Sequence, residues 1–178
     1  FPPYFIKRTY KHLTLPLKLL FQKSLATACF PNEWKIANVI PIYKKGDKYN
    51  IKNYRPVSIL SLFPKLFERI VCPVLTHHFS QMISDFQHGF CARKSSVSNL
   101  TGYISDLASG IDNKTEIDSI YTDFSSAFDK VNHNILISKL KYYGIHGNLL
   151  NWVQSYLYNR IQRVTTQGFK SFSFFPTS

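Results

Sequence analysis

Tyr121-Thr122-Asp123-Phe124-Ser125-Ser126-Ala127-Phe128-Asp129-Lys130-Val131-Asn132-His133 is the stretch on which the reading of this chain turns. Ile120, Tyr121 and Thr122 are β-branched or aromatic, and they run straight into Asp123. Such a run predicts a strand at about 119–123, with the carboxylate at its end and at the mouth of a turn. A strand end holds a ligand on rigid backbone, and a hard cation such as Mg²⁺ selects carboxylate and carbonyl oxygens. An Asp in this place also serves to cap the following turn. On the residues of the stretch alone, both roles stay open.

Outward from it, the pattern alternates irregularly between helix and strand. Leu17, Leu20, Phe21, Ser24, Leu25 and Ala28 recur at helical spacing, and Pro31 stops the helix they define. Residues 34–43 read as a strand, with Ile36, Asn38, Ile40 and Ile42 on one face and Ala37, Val39 and Pro41 on the other. Lys44-Lys45-Gly46-Asp47 suits a tight turn, and a short strand follows Tyr54-Arg55-Pro56. A helix is expected over 62–79 with the stripe Leu66, Phe67, Ile70, Val71, Val74 and Leu75, kinked at Pro73. Ser95 or Ser96 caps the next helix, whose stripe is Val97, Leu100, Ile104, Leu107 and Ile111. Two more helices carry Leu136, Leu140 and Tyr143, then Leu149, Leu150, Val153 and Leu157, with Gly144 as the stop of the first. Residues 161–167 and 171–175 around Gly168 read as a hairpin. Without regular strand–helix alternation, the fold class expected is α+β and not a doubly wound sheet.

Composition narrows the classes. A chain of 178 residues with 44% hydrophobic and 16% aromatic side chains can bury a core, which excludes a disordered tail. It holds no apolar run long enough to span a bilayer. Phe1-Pro2-Pro3-Tyr4 is no signal peptide, and the missing initiator Met suggests a piece of a longer frame. Cys29, Cys72 and Cys91 are scattered and form no zinc-like pair with His. So sparse a set fits a reducing compartment, hence an intracellular protein of the cytoplasm or nucleus and not a secreted one. His77-His78 reads as ordinary helix histidines, since neighbours on a helix face different ways. The net charge is +12, and residues 1–100 carry 15 basic against 4 acidic side chains while the remainder carries 7 against 6. That asymmetry points to a polyanion partner for the first part, the alternative being ordinary solubility charge.

The stretch beginning at Asp123 resembles the first catalytic motif of reverse transcriptases from non-LTR (LINE-type) retrotransposons. Other blocks of the same family resemblance stand in order along the chain. Pro31-Asn32-Glu33-Trp34-Lys35-Ile36-Ala37, residues 39–47 and Asn53-Tyr54-Arg55-Pro56-Val57-Ser58 resemble the fingers segment. Gln87-His88-Gly89-Phe90 with Ser95-Ser96 resembles its next block, and residues 144–162 resemble the stretch between the first and second palm motifs. Group II intron reverse transcriptases are the nearest confusable family; the Ser-Ala-Phe-Asp motif with the Trp-Lys and Lys-Lys-Gly-Asp blocks leans towards the retrotransposon type.

The resemblance implies an RNA-directed DNA polymerase that joins a dNTP to a DNA primer on an RNA template with two Mg²⁺ ions, or Mn²⁺ in their place. It implies a right-hand polymerase, with a lead-in at 1–30, fingers at 31–115 and a partial ferredoxin-like palm at 116–178. By the same resemblance Asp123 is the catalytic metal ligand, and the Phe124 carbonyl completes one coordination shell. Lys44, Lys45, Arg55, Phe124, Ser125 and Phe128 would meet the incoming nucleotide, with Phe128 as the gate against a ribose 2′-hydroxyl. Arg55 suits phosphate because its planar fork donates two hydrogen bonds, whereas Lys acts as a point charge. Lys48, Lys52, Arg93 and Lys94 would track template or duplex backbone, and Asp129 would bond a turn or helix start. The bland alternatives are a solvated hairpin for the lysines and a core aromatic for Phe128.

The chain departs from the pattern in one large way. No Asp or Glu follows Asp129, so the paired aspartates of the third palm motif are missing, as is the Pro-Gln-Gly turn of the second. Pro73 and Tyr43 are minor departures. The expectation is therefore a fragment inactive by itself, with an open sheet edge and marginal solubility. A non-catalytic nucleic-acid-binding remnant and a decayed element that never folds stably are the other readings.

Overall fold

The computed structural model describes residues 3–166 and 169–173. Helix α1 (Pro3–Ala26) leads through a 3₁₀ turn at Asn32–Trp34 into strand β1 (Ile36–Tyr43). A loop with a second 3₁₀ turn at Ile51–Asn53 returns as β2 (Tyr54–Ile59), followed by α2 (Leu62–Phe79) and α3 (Ser96–Asp112). The chain ends in α4 (His133–Tyr142), α5 (Gly147–Leu157), β3 (Ile161–Thr166) and β4 (Phe169–Lys170). It is a mixed α and β chain with a small sheet of order β2-β1-β3-β4 among the described residues. It forms two compact units: residues 1–73 with 128–178, and residues 74–127. The boundary falls inside α2, directly after Pro73, and the helix runs on through that proline.

In the first unit the expected stripe of α1 is used in part: Phe21 and Ser24 are buried and Leu17 and Leu25 half-buried, whereas Leu20 is exposed and Ala28 lies past the helix end. Phe21 is buried and stacks on Phe67 of α2 with ring centroids 4.3 Å apart. Phe30 and Phe67 are both 0% exposed. Phe30 meets Trp152 and Tyr156 of α5 edge-on at 5.5 and 5.0 Å, and Phe67 meets Trp152 at 4.9 Å. Edge-to-face pairs of this kind add about 0.5–1.5 kcal/mol beyond the burial itself. Ser24 sits among these rings, yet both its bonding needs are met. Its hydroxyl accepts from Trp152 Nε1 at 2.9 Å and donates to the Cys29 carbonyl at 2.5 Å. Between α1 and the 3₁₀ turn at Asn32–Trp34, Phe30 N–H donates to the Ser155 hydroxyl at 3.0 Å, tying two segments 125 residues apart.

Helix ends explain the boundaries. Ala28 follows α1 at φ 53°, with Cys29 N–H on the Ser24 carbonyl and Ala28 N–H on the Leu25 carbonyl. The same paired bonds close α4, where Gly144 takes φ 92°, Ile145 N–H reaches Leu140 and Gly144 N–H reaches Lys141. Both are Schellman ends, which use a left-handed residue to satisfy the last carbonyls. Gly144 is thus the stop expected of it. Asn132, and not Asp129, caps the start of α4 by accepting from Ile135 N–H at 3.1 Å.

Strand β1 pairs with β2 antiparallel, Ile42 opposite Arg55 and Tyr43 opposite Tyr54, and with β3 in parallel, Val39 beside Val164. Of its two faces, the one bearing Ala37 and Val39 is buried. The hairpin expected at the end is met by β3 and β4, paired through Thr165–Lys170 and Thr166–Phe169. The second strand is displaced to 169–170; Gly168 and residues 174–175 of that expectation lie outside the described residues.

The second unit is built on α3. Ser95 and Ser98 form a reciprocal capping box at its start, as the serine pair suggested. The strand expected at 119–123 is not formed: residues 115–124 have no regular structure. A strand needs a neighbour for its alternating N–H and C=O groups, and none of the four described strands pairs with this run. High β propensity without a partner leaves an extended, exposed segment, with Ile120 89% exposed.

Candidate functional site

The β1–β2 hairpin gathers Lys44, Lys45, Lys48, Lys52 and Arg55, all exposed. Its loop is held by a closed set of bonds. Lys44 N–H donates to the Asn53 carbonyl at 2.8 Å. Asp47 turns its carboxylate inward to accept from Tyr49 N–H at 2.9 Å, and its carbonyl accepts from Asn53 Nδ2 at 2.8 Å. Asn50 accepts from Lys52 N–H at 3.0 Å. Gly46 takes φ 92°, and a Cβ there would come within 2.7 Å of Asn53 Nδ2, so only glycine fits. Tyr54 hydroxyl donates to the Lys48 carbonyl at 2.9 Å, and Tyr43 hydroxyl donates to the Gly46 carbonyl. Lys48 Nζ stands 5.9 Å from the Tyr43 ring centre, at the outer range of a cation–π contact. The carboxylate of the loop's lone acid accepts the Tyr49 N–H, and the cations project from a braced frame. Strand alternation puts Arg55 on the face of Ile40 and Ile42, opposite Tyr54 and Pro56.

Asp123, Phe124 and Ser125 belong to the second unit and lie on one exposed stretch. Phe128 is exposed in the turn that leads to α4. The segment leading to Asp123 is anchored at two points along α3. Ile117 fills the notch at Gly110, where a Cβ would come within 2.0 Å of its Cδ1. Further on, Tyr103 hydroxyl donates to Ser119 Oγ at 2.8 Å and shares a hydrogen bond with Tyr121 hydroxyl. These bonds split the two phenols: Ser119 and Tyr121 hold Tyr103 below the usual tyrosine range, and Tyr103 holds Tyr121 above it. Sequence patterning alone missed Tyr103 and Gly110, because their partners lie seven to eighteen residues away across a segment without periodicity.

Arg93 and Lys94 stand in the loop before α3. Arg93 is exposed at φ 63°, and Lys94 Nζ donates to the Asp85 carbonyl, a loop-bracing role beside any contact with nucleic acid.

Metal chemistry can be tested against the donors present. Mg²⁺ takes near-octahedral oxygen coordination, and a two-metal site needs several carboxylates around a pair of ions about 4 Å apart. Asp123 and the Phe124 carbonyl are oxygen donors on one exposed stretch. Among the described residues no three His, Cys, Asp or Glu side chains are grouped to hold a metal ion. The described residues do not by themselves make up a two-metal site.

Residues 42–177 match the family model of the reverse transcriptase (RNA-dependent DNA polymerase). The chain belongs to the reverse transcriptase family. It is 32% identical over 155 residues to "Probable RNA-directed DNA polymerase from transposon BS" of Drosophila melanogaster, covering 82% of this chain and 16% of that protein. It is 30% identical over 158 residues to "RNA-directed DNA polymerase from mobile element jockey" of the same species, covering 87% of this chain and 17% of that protein. The X-element relative from that fly is 29% identical over 139 residues. The LINE-type resemblance read from the motifs is thereby borne out. The chain spans less than a fifth of the length of these relatives. No helix among its described residues is long and apolar enough to cross a membrane.

Proposed function

We propose that the chain is the fingers and first palm portion of an RNA-directed DNA polymerase, with the lead-in at 1–30, fingers at 31–115 and palm at 116–178. The observation that carries this is the braced cationic hairpin of Lys44, Lys45, Lys48, Lys52 and Arg55 at the start of the family match. In this reading Lys44, Lys45 and Arg55 take the phosphates of a dNTP, with Arg55 as the bidentate donor. Lys48, Lys52, Arg93 and Lys94 meet the backbone of an RNA template or its duplex with a DNA primer. Asp123 and the Phe124 carbonyl offer oxygens to a divalent cation, Mg²⁺ or Mn²⁺, whose remaining ligands come from outside the described residues. Ser125 and Phe128 border the nucleotide. Such a protein works inside the cell, in the cytoplasm or nucleus, where template and nucleotides are found.

The test is primer extension on an RNA template by a protein made from the longest open frame that contains these residues. DNA synthesis with Mg²⁺ is expected, and Asp123→Ala should reduce it to background. Full synthesis by that variant would remove Asp123 from the site. A second reading, nucleic-acid binding without catalysis, rests on the cationic hairpin alone. It predicts salt-sensitive binding to RNA and DNA with no nucleotide addition even from the longest frame.

A further inference from the structure

The face of the sheet opposite Arg55 carries a cavity, and of the residues that line it only Lys48 has a role above. Val39 and Pro41 of β1, Tyr54 and Pro56 of β2 and Val164 of β3 form its floor, within one unit of the fold. Their alternation is consistent: Pro41 lies opposite Pro56, and Val39 lies beside Val164. Lys48 and Tyr49 of the hairpin loop rise at its side, and the cavity measures about 560 Å³. The floor is apolar and flat-sided, being made of two prolines, a tyrosine ring and two valines. Tyr49 is 98% exposed, so its ring packs on almost nothing in the chain. Its backbone is nonetheless fixed through Asp47, and the Tyr54 hydroxyl pins the loop beside the floor. An exposed aromatic beside Lys48 at an apolar slot, on a loop that also bears Lys44, Lys45 and Lys52, combines a stacking surface with cations. That is the chemistry that holds single-stranded nucleic acid, in which bases stack on aromatic rings and phosphates meet basic side chains. Charge complementarity selects this occupant over an apolar peptide, since the loop has four lysines against one acid, whose carboxylate accepts the Tyr49 N–H.

We propose that this groove captures an unpaired base of a single-stranded nucleic acid, stacked against Tyr49, with the flanking phosphate on Lys48. It is a second site on the hairpin, on the face away from Arg55. The proposal deepens the nucleic-acid reading above but does not need the chain to catalyse. An unpaired base is the shared chemistry of RNA and DNA, and the test separates them.

The experiment measures fluorescence anisotropy of labelled oligo(rU) and oligo(dT), and of a duplex of equal length, on the 178-residue chain across a salt series. Tyr49→Ala should weaken single-strand binding by about tenfold and leave duplex binding unchanged, the stacking of one base being lost. Tyr49→Phe should restore it. Lys48→Ala should flatten the single-strand salt dependence by about 0.7 in slope, one phosphate contact being removed. Tyr142→Ala, an exposed aromatic on α4, serves as the control and should change nothing. Equal loss for rU and dT assigns the groove to the base alone, and loss confined to one assigns it to that nucleic acid. Unchanged single-strand affinity in Tyr49→Ala, or equal loss on the duplex, would overturn the proposal. A polymerase that depends on Asp123 while its Tyr49→Ala chain binds normally would keep the catalytic reading and sink the groove.

Discussion

Ala28 ends α1 in the left-handed region, where a Cβ crowds the following carbonyl and costs about 1–2 kcal/mol. Its counterpart at the end of α4 is Gly144, which adopts that region freely. Ala28→Gly should therefore raise stability by about 0.5–1 kcal/mol, read as a higher urea midpoint with an unchanged slope. Tyr156 makes a pH prediction of its own. Burial, then the Glu68 carboxylate that accepts its hydroxyl at 2.7 Å, pushes its pKa from 10.0 to about 12, partly offset by Arg160 stacked 4.8 Å from the ring centre. The folded value lies above the unfolded one. Its contribution is thus complete below pH 10 and lost as pH rises through 10 to about 12, because the unfolded chain releases the proton first. Denaturation midpoints across that window should fall more steeply for the native chain than for Tyr156→Phe. Parallel curves would show that the hydroxyl does not titrate with folding.

Among elements, the aromatic cluster and the hairpin loop are the parts that hold the sheet in place. Phe67 lies against Phe21, Phe30, Trp34 and Trp152, drawing α1, α2 and α5 onto one ring. Phe67→Ala should cost about 3–5 kcal/mol, visible as a collapse of near-UV circular dichroism at temperatures where the native chain is folded. A loss under 1 kcal/mol would mean that the cluster rearranges to fill the space. In the loop, Gly46→Ala adds a methyl group against Asn53 and forces a positive φ on alanine. It should cost about 1–2 kcal/mol in thermal denaturation. It should also weaken oligonucleotide binding, since Lys48 and Lys52 lose their frame.

At the scale of the whole molecule, burial is unevenly divided. Every buried hydrophobic residue among those described, from Phe21 to Val153, lies in the unit of residues 1–73 and 128–178. The unit of residues 74–127 leaves Val97, Leu100, Ile104 and Ile111 of α3 exposed. Local stability follows buried apolar contact, so amide exchange should be fast in α3 and in 115–124 and slow in α5 and β1. Equal protection in both regions would contradict this division.

The element boundaries were largely legible in the sequence, because helix stripes, capping serines, Gly144 and the Lys-Lys-Gly-Asp turn are local signals. The helix expected over 62–79 coincides with α2, and the alternation of 34–43 separated the buried Ala37 and Val39 face correctly. The family was legible too, since the ordered motifs are read residue by residue. Pairing was not. Whether 119–123 forms a strand depends on a neighbour elsewhere in the chain, and β propensity carries no record of one. The parallel partnership of β1 with β3 joins segments more than a hundred residues apart, and only that register puts Val164 beside Val39. The groove and the anchoring of the Asp123 segment by Tyr103 are decided by tertiary structure alone. The groove is assembled by backbone pairing between distant strands and the anchor by side-chain hydrogen bonds to Tyr103 from 16 and 18 residues away, and no local pattern encodes either.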